Sequence, residues 1–138
     1  MDAAQIGNEL SSIVLTTEQI DTRIREIAAE IDKDYAGAEK PLLMVGVLKG
    51  AVMVMADLAR AVSIPVEFDF MAVSSYGSGT KSSGVVRIIK DLDIDLAGRD
   101  VLIVEDILDS GLTLSWLIKN LKSRHPKSIE VMTMMRKP

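Results

Sequence analysis

Apolar residues recur at helical spacing early in the chain: Ile20, Ile24, Ile27 and Ile31 form one stripe, with Asp, Arg and Glu on the remaining faces. Thr16, followed three residues later by Gln19, has the pattern of a capping box, so the spacing predicts a helix from about Thr17 to Tyr35. Gly37 and Pro41 punctuate the chain after it. Pro41 to Leu48 is then a continuous apolar run, the mark of a strand buried on both faces. Lys49-Gly50 breaks that run, and Ala51 to Val62 reads as a second helix. From Pro65 to Met71 the pattern alternates, Val66, Phe68 and Phe70 against Glu67 and Asp69, which predicts a strand with one wetter face. Val73 to Gly84 is rich in Ser, Gly, Thr and Lys with one aromatic, Tyr76. It reads as a polar, mobile loop, and loops of that length often serve as lids.

Val85 to Ile89 is expected as a short strand, Asp91 to Gly98 as a polar connection, and Asp100 to Val104 as a second buried strand. Thr113 to Ser123 reads as a helix, Pro126 ends that segment, and Ser128 to Met135 is the last strand. Strands alternate with helices in the latter half, which predicts the α/β class with a mainly parallel sheet flanked by helices. Neither an internal repeat nor a linker interrupts the pattern, so residues 1–138 are expected to form a single domain.

Composition narrows the functional classes. Apolar residues make up 48% of the chain and charged residues 26%, as in ordinary globular proteins. The net charge of −4 with no dense Lys/Arg block argues against a nucleic-acid partner. The absence of cysteine excludes a disulfide scaffold, a thiolate nucleophile and a Cys-ligated zinc site. There is no basic segment followed by an apolar core at the start, and apolar runs such as Ala51 to Ala56 fall far short of the roughly 20 residues that span a bilayer. A cytoplasmic protein without a membrane partner is expected.

The chemistry concentrates in Val101-Leu-Ile-Val-Glu105-Asp106-Ile-Leu-Asp109-Ser110-Gly111-Leu112-Thr113. A buried strand carries two adjacent carboxylates at its C-terminal end, a short Ser/Gly/Thr loop follows, and a helix begins. Ligands of open α/β sheets bind beyond the carboxyl ends of the strands, so this is where a site is expected. Residues 110–113 would offer backbone N–H groups, two hydroxyls and a positive helix end, which suit a phosphate dianion. Gly111 would let the backbone approach closely. Glu105 and Asp106 would repel that phosphate. They suit two vicinal hydroxyls, or a hard cation such as Mg²⁺ held through waters. A phosphate cradle beside a diol clamp describes a ribose 5-phosphate.

Val104 to Thr113 resembles the 5-phosphoribosyl-pyrophosphate (PRPP) signature of type I phosphoribosyltransferases, and Glu105-Asp106-Ile-Leu-Asp109-Ser-Gly resembles its hypoxanthine/guanine branch. Leu48-Lys49-Gly50 matches that family's pyrophosphate loop, which often contains a non-proline cis peptide at the lysine. Ser74-Ser75-Tyr76-Gly77 matches the start of its flexible active-site loop. The resemblance implies transfer of 5-phosphoribosyl from PRPP to N9 of hypoxanthine or guanine, giving a nucleoside monophosphate and pyrophosphate, with Mg²⁺ as cofactor and a homodimer or homotetramer as the assembly. It implies that Glu105 and Asp106 hold the ribose hydroxyls with the metal nearby. Ser110, Gly111, Leu112 and Thr113 would hold the 5-phosphate, and Lys49 and Gly50 would face pyrophosphate. Ser75 and Tyr76 would close over the site, and Asp109 would be the general base at N7 of the purine.

The family sequence is expected to run on past Pro138, and that stretch would carry the base-contacting lysine, a stacking aromatic and a further acidic metal ligand; Arg136 and Lys137 are not assigned to it. Leu112 stands where relatives often carry lysine, which matters little if only the backbone N–H meets phosphate.

Other readings are plainer. Asp109 could be a helix N-cap alone, and Lys49-Gly50 a simple turn. His125 before Pro126 suits a helix C-terminal dipole partner, while Trp116, Met132, Met134 and Met135 read as packing. Gly77-Ser-Gly79 lacks the third glycine of a dinucleotide fingerprint. A response-regulator receiver fails on length, because too little chain follows Asp106. The rival to an enzyme is a regulatory module of the same fold that senses PRPP or a nucleotide.

Overall fold

The computed structural model describes residues 11–76, 85–108 and 111–137. Helix α1 spans Thr17–Asp34, and the expected capping box is formed: the Gln19 N–H donates to Thr16 Oγ1 at 3.1 Å, and the Thr16 N–H donates to Gln19 Oε1 at 2.8 Å. Ile24 and Ile31 of the apolar stripe are buried, and Ile20 and Ile27 pack against the same cluster. Strand β1 (Leu42–Val47), helix α2 (Ala51–Ala61), strands β2 (Val66–Tyr76), β3 (Val85–Lys90) and β4 (Asp100–Leu108), helix α3 (Leu112–Lys122) and strand β5 (Ser128–Arg136) follow.

The strands form one sheet in the order β3-β2-β1-β4-β5. β1 is central, parallel to β2 on one side and to β4 on the other, and β4 is parallel to β5; β3 joins β2 antiparallel. The period of two along β1 and β4 divides their side chains between two cores. Leu42, Met44, Leu102 and Val104 face α1 and α2, together with Met55, Leu58 and Met132. Leu43, Val45, Val101 and Ile103 face the opposite side with Leu117 and Leu121 of α3. Each such side chain taken fully out of water contributes about 1.5–3 kcal/mol, which is why an uninterrupted apolar run folds as a strand covered on both faces.

Three features differ from the sequence reading. β4 continues through Leu108 because β5 stays paired to it as far as Leu108 against Arg136, so the acidic pair lies within the strand and not beyond it. β2 continues through Tyr76, so residues 73–76, expected as loop, pair with β3 after a register shift at Ala72/Val73. The polarity of β2 is also reversed at its centre. Phe68 is 47% exposed while Asp69 is only 7% exposed. Burial of that carboxylate is compensated locally: Oδ1 accepts from the Phe70 N–H (2.8 Å), and Oδ2 accepts from the N–H groups of Asp93 (2.8 Å) and Ile94 (3.0 Å). Alternation alone cannot reveal such an arrangement, since the partners are backbone groups of a distant turn.

His125 acts through its backbone. It adopts a left-handed conformation (φ 61°) just past α3, its N–H donates to the Lys122 carbonyl (3.2 Å), and its own carbonyl accepts from the Gly98 N–H (3.0 Å). Trp116 and Met134 pack at the edges of the cores and Met132 is buried, whereas Met135 is exposed. Among the described residues no helix is long and apolar enough to cross a membrane.

Asp69→Ala removes the acceptor for three backbone donors, two of them in the 91–98 turn. The expected loss is about 3 kcal/mol of unfolding free energy. Urea unfolding followed by circular dichroism should show the midpoint lowered by about 1–2 M with an unchanged slope.

Candidate functional site

The parallel register of β1 and β4, with Gly46 opposite Val104, brings the ends of both strands to the same side of the sheet. β1 ends in the Leu48-Lys49-Gly50 turn, whose Leu48–Lys49 peptide is cis, as the motif implied. Lys49 and Gly50 are exposed there, and Ala51, which opens α2, is fully buried and anchors the turn to the core. β4 runs on past the end of β1: Glu105 is level with Val47, the last residue of β1, and Asp106 lies beyond it.

Successive residues of a strand point to opposite faces. Since Leu102 and Val104 face α2 while Val101 and Ile103 face α3, Asp106 emerges on the α2 side and Glu105 on the α3 side. The position of Asp106 agrees: its carboxylate lies against Gly50, and a Cβ placed on that glycine would stand 2.5 Å from Oδ2. Oδ1 of Asp106 also accepts the Ile107 N–H at 2.8 Å. The two carboxylates therefore present acceptors on opposite faces of β4.

Glu105 is half-buried. Burial, and after it the neighbouring negative charge of Asp106, pushes its carboxyl pKa up to about 7. A hard cation or hydroxyl donors at this point would offset both effects. Among the described residues no group of three or more His, Asp or Glu is placed to hold a metal on its own. The donor set nonetheless fits Mg²⁺, which usually takes one or two carboxylates and completes its shell with water and substrate phosphate.

α3 begins at Leu112, with Gly111 as its N-cap in a left-handed conformation (φ 81°, ψ −3°) that glycine adopts without steric cost. The Gly111 carbonyl accepts the first helical bond, from the Ser115 N–H at 2.8 Å. Leu112 is exposed and Thr113 half-buried at the positive end of the helix. Asp109 and Ser110 lie outside the described residues, as does the 77–84 segment. The β2–β3 ribbon carries the backbone of Ser75 and Tyr76, paired with Val86 and Val85.

Lys49, Gly50, Glu105, Asp106 and the start of α3 thus belong to the strand-end side of the sheet, as the order of motifs suggested. Sequence reasoning missed the contact of Asp106 with Gly50. The signal was a glycine directly before a helix with no side-chain cap, and only the register of β1 on β4 gives it a partner. A cavity of about 870 Å³ lies elsewhere, between α1 and β5, lined by Ile27, Tyr35, Met132 and Glu130 among others, and includes none of these residues.

Comparison with known proteins identifies relatives of the whole fold. The family model described as the phosphoribosyl transferase domain matches residues 12–138. A hypoxanthine-guanine phosphoribosyltransferase of Mycobacterium avium is 60% identical over 134 residues, covering 94% of this chain; the chain spans 66% of that relative's length. The crystal structure of a hypoxanthine phosphoribosyltransferase from Staphylococcus aureus is similar at a TM-score of 0.91 and 44% identity, over 100% of this chain and 73% of that one. Hypoxanthine phosphoribosyltransferase from Trypanosoma cruzi, in complex with the product IMP, gives a TM-score of 0.86 at 40% identity, over 95% of this chain and 73% of that one.

The folded, metal-free chain should hold a proton on Glu105 near neutral pH. Its pKa in the folded state exceeds the ordinary carboxyl value of 4.5, so the native state binds more protons than the unfolded one, and stability falls as pH rises from about 4.5 through about 7. Carboxyl ¹³C shifts should report a midpoint near 7 that Asp106→Asn lowers only in part, because burial is the larger cause. Glu105→Gln should flatten the stability profile over the same interval.

Proposed function

The chain belongs to the phosphoribosyl transferase domain family, on its hypoxanthine-guanine branch, and on that premise we propose that residues 1–138 form one domain that binds PRPP and transfers its 5-phosphoribosyl group to N9 of a 6-oxopurine. The observation that carries this reading is the convergence, through β1–β4 pairing, of an exposed Lys49-Gly50 turn with the Glu105–Asp106 strand end. A solved relative in complex with IMP supports hypoxanthine as the base class.

In the proposed reaction the bond from C1 of the ribose to the pyrophosphate oxygen breaks, N9 of the purine forms the new bond to C1, and the proton at N7 passes to Asp109. Glu105 and Asp106 accept hydrogen bonds from the two ribose hydroxyls and fix the sugar. Backbone N–H groups and hydroxyls of residues 110–113, at the positive end of α3, hold the 5-phosphate. Lys49 and the Gly50 backbone face the leaving pyrophosphate, whose charge must be stabilised as it develops. Ser75 and Tyr76, at the end of the β2–β3 ribbon, cover the site and exclude water. Mg²⁺, held beside Glu105 and Asp106, neutralises phosphate charge when bound.

Calorimetric titration with PRPP should give saturable binding that Mg²⁺ strengthens. Absence of binding by a chain shown to be folded would overturn the ribosyl-phosphate reading. Asp109→Asn should keep PRPP binding while lowering hypoxanthine turnover by about 10²–10⁴-fold, the usual worth of a general base. Unchanged turnover would remove Asp109 from that role, and PRPP binding without turnover in the unsubstituted chain would favour a sensing module.

A further inference from the structure

We infer that Gly50 is a positioning residue: the space left by its absent side chain is where the Asp106 carboxylate packs, so the β1–α2 turn sets the acceptor that meets the ribose. The inference rests on the ribosyl-phosphate reading of Asp106 and extends it to a residue assigned there only a pyrophosphate contact.

Three ordinary reasons for a glycine fail at this position. Its backbone is right-handed helical (φ −57°, ψ −33°), which every residue adopts, so conformational freedom is not required. It stands at the N-cap of α2 and makes no side-chain cap bond, where Ser, Asn or Asp would serve better. It is exposed, so core packing does not exclude a larger residue. The remaining reason is steric and specific. A Cβ on Gly50 would lie 2.5 Å from Asp106 Oδ2, 2.8 Å from Cγ and 2.9 Å from Oδ1, closer than real Cβ contacts allow. The whole carboxyl group faces the glycine, and its Oδ1 is already held by the Ile107 N–H. Gly111 is the contrast. Its φ of 81° demands glycine, while a Cβ there would meet nothing nearer than Leu108 Cδ1 at 4.0 Å.

The packing also places Asp106 at the N-terminal end of the eleven-residue α2, where the helix dipole favours a negative group. Side chain and turn therefore locate each other: the turn leaves one place for the carboxylate, and that place lies between the strand end that would hold ribose and the loop that would hold pyrophosphate. A methyl group at position 50 must push the carboxylate away or move the turn.

Ribose 5-phosphate separates this role from a direct one, because it lacks the pyrophosphate that Gly50 itself would touch. Its affinity, with PRPP in parallel, should be measured by ligand-observed NMR for the unsubstituted chain, Gly50→Ala, Asp106→Ala and the double variant, with thermal unfolding of each. Gly50→Ala should weaken ribose 5-phosphate at least tenfold, as Asp106→Ala does, and the double variant should bind no more weakly than Asp106→Ala alone. Gly50→Ala should lower the melting temperature by about 4 °C, whereas in the Asp106→Ala background the same change should raise it, as alanine for glycine does at a relaxed helical position. Additive effects on binding or melting, or unchanged ribose 5-phosphate affinity in Gly50→Ala, would overturn the inference alone. If the unsubstituted chain is folded and binds neither ligand, the ribosyl-phosphate reading fails and takes the inference with it. Should Gly50→Ala not fold, the double variant must fold for the inference to stand.

Discussion

Parallel pairing of β1 with β4, from Leu43 against Val101 to Gly46 against Val104, is the contact on which the remaining structure depends. It places two strands with apolar paired segments, 43–46 and 101–104, side by side at the centre of the sheet, and their alternate residues then call for helices on both faces: α1 and α2 on one, α3 on the other. The same register decides where chemistry can occur. Both strands deliver their C-terminal ends to one side, so a turn and an acidic strand end separated by more than fifty residues become neighbours, without a loop having to bridge them. The foundations of the site are among the least exposed of the described residues.

Much of this was legible in the sequence, and for identifiable reasons. Continuous apolar runs in β1 and β4, the stripe of Ile20, Ile24, Ile27 and Ile31, and the Thr16–Gln19 cap are local signals, and each produced the expected element. The motifs that resemble the PRPP signature pointed to the family because they combine particular residue types in a short span. What escaped depended on partners distant in sequence. Polar residues after Val104 suggest that β4 ends there, yet pairing with β5 keeps it extended through Leu108. The Ser content of residues 73–76 suggests a loop, although β3 holds them in a ribbon. Alternation places Asp69 on the wetter face because it says nothing of the backbone N–H groups of Asp93 and Ile94 that compensate its burial. Asp109 and Ser110, the centre of the motif, lie outside the described residues, and their roles are proposals that rest on the family resemblance.

Electrostatics set the site apart from the rest of the fold. Among the other described residues the one buried cation is largely paired: Arg99 donates from Nη2 to the Pro41 carbonyl at 2.9 Å and lies 3.3 Å from Glu67, while its buried Nε has no hydrogen-bond partner. At the end of β4 two adjacent carboxylates are brought together, and burial pushes the carboxyl pKa of Glu105 up to about 7. Such an arrangement costs folding free energy in the absence of a ligand. Its compensation lies in whatever supplies positive charge or hydroxyl donors, and binding and stability are therefore linked at this one place.

The inverted polarity at the centre of β2 bears on how the chain avoids folding wrongly. Val66, Phe68 and Phe70 on one face and Met71 on the other would tolerate a strand displaced by one residue, since apolar groups are available to either core. Asp69 would not. A one-residue slip turns its carboxylate toward the helices α1 and α2, among side chains without donors, and leaves the N–H groups of Asp93 and Ile94 unmatched. Its hydrogen bonds from the N–H groups of Asp93 and Ile94 form only in the native register, so they make competing alignments of β2 on β1 expensive. The buried acid thus works as a key for strand alignment, and alignment of β2 determines where the Ser75–Tyr76 end of the ribbon emerges above the sheet.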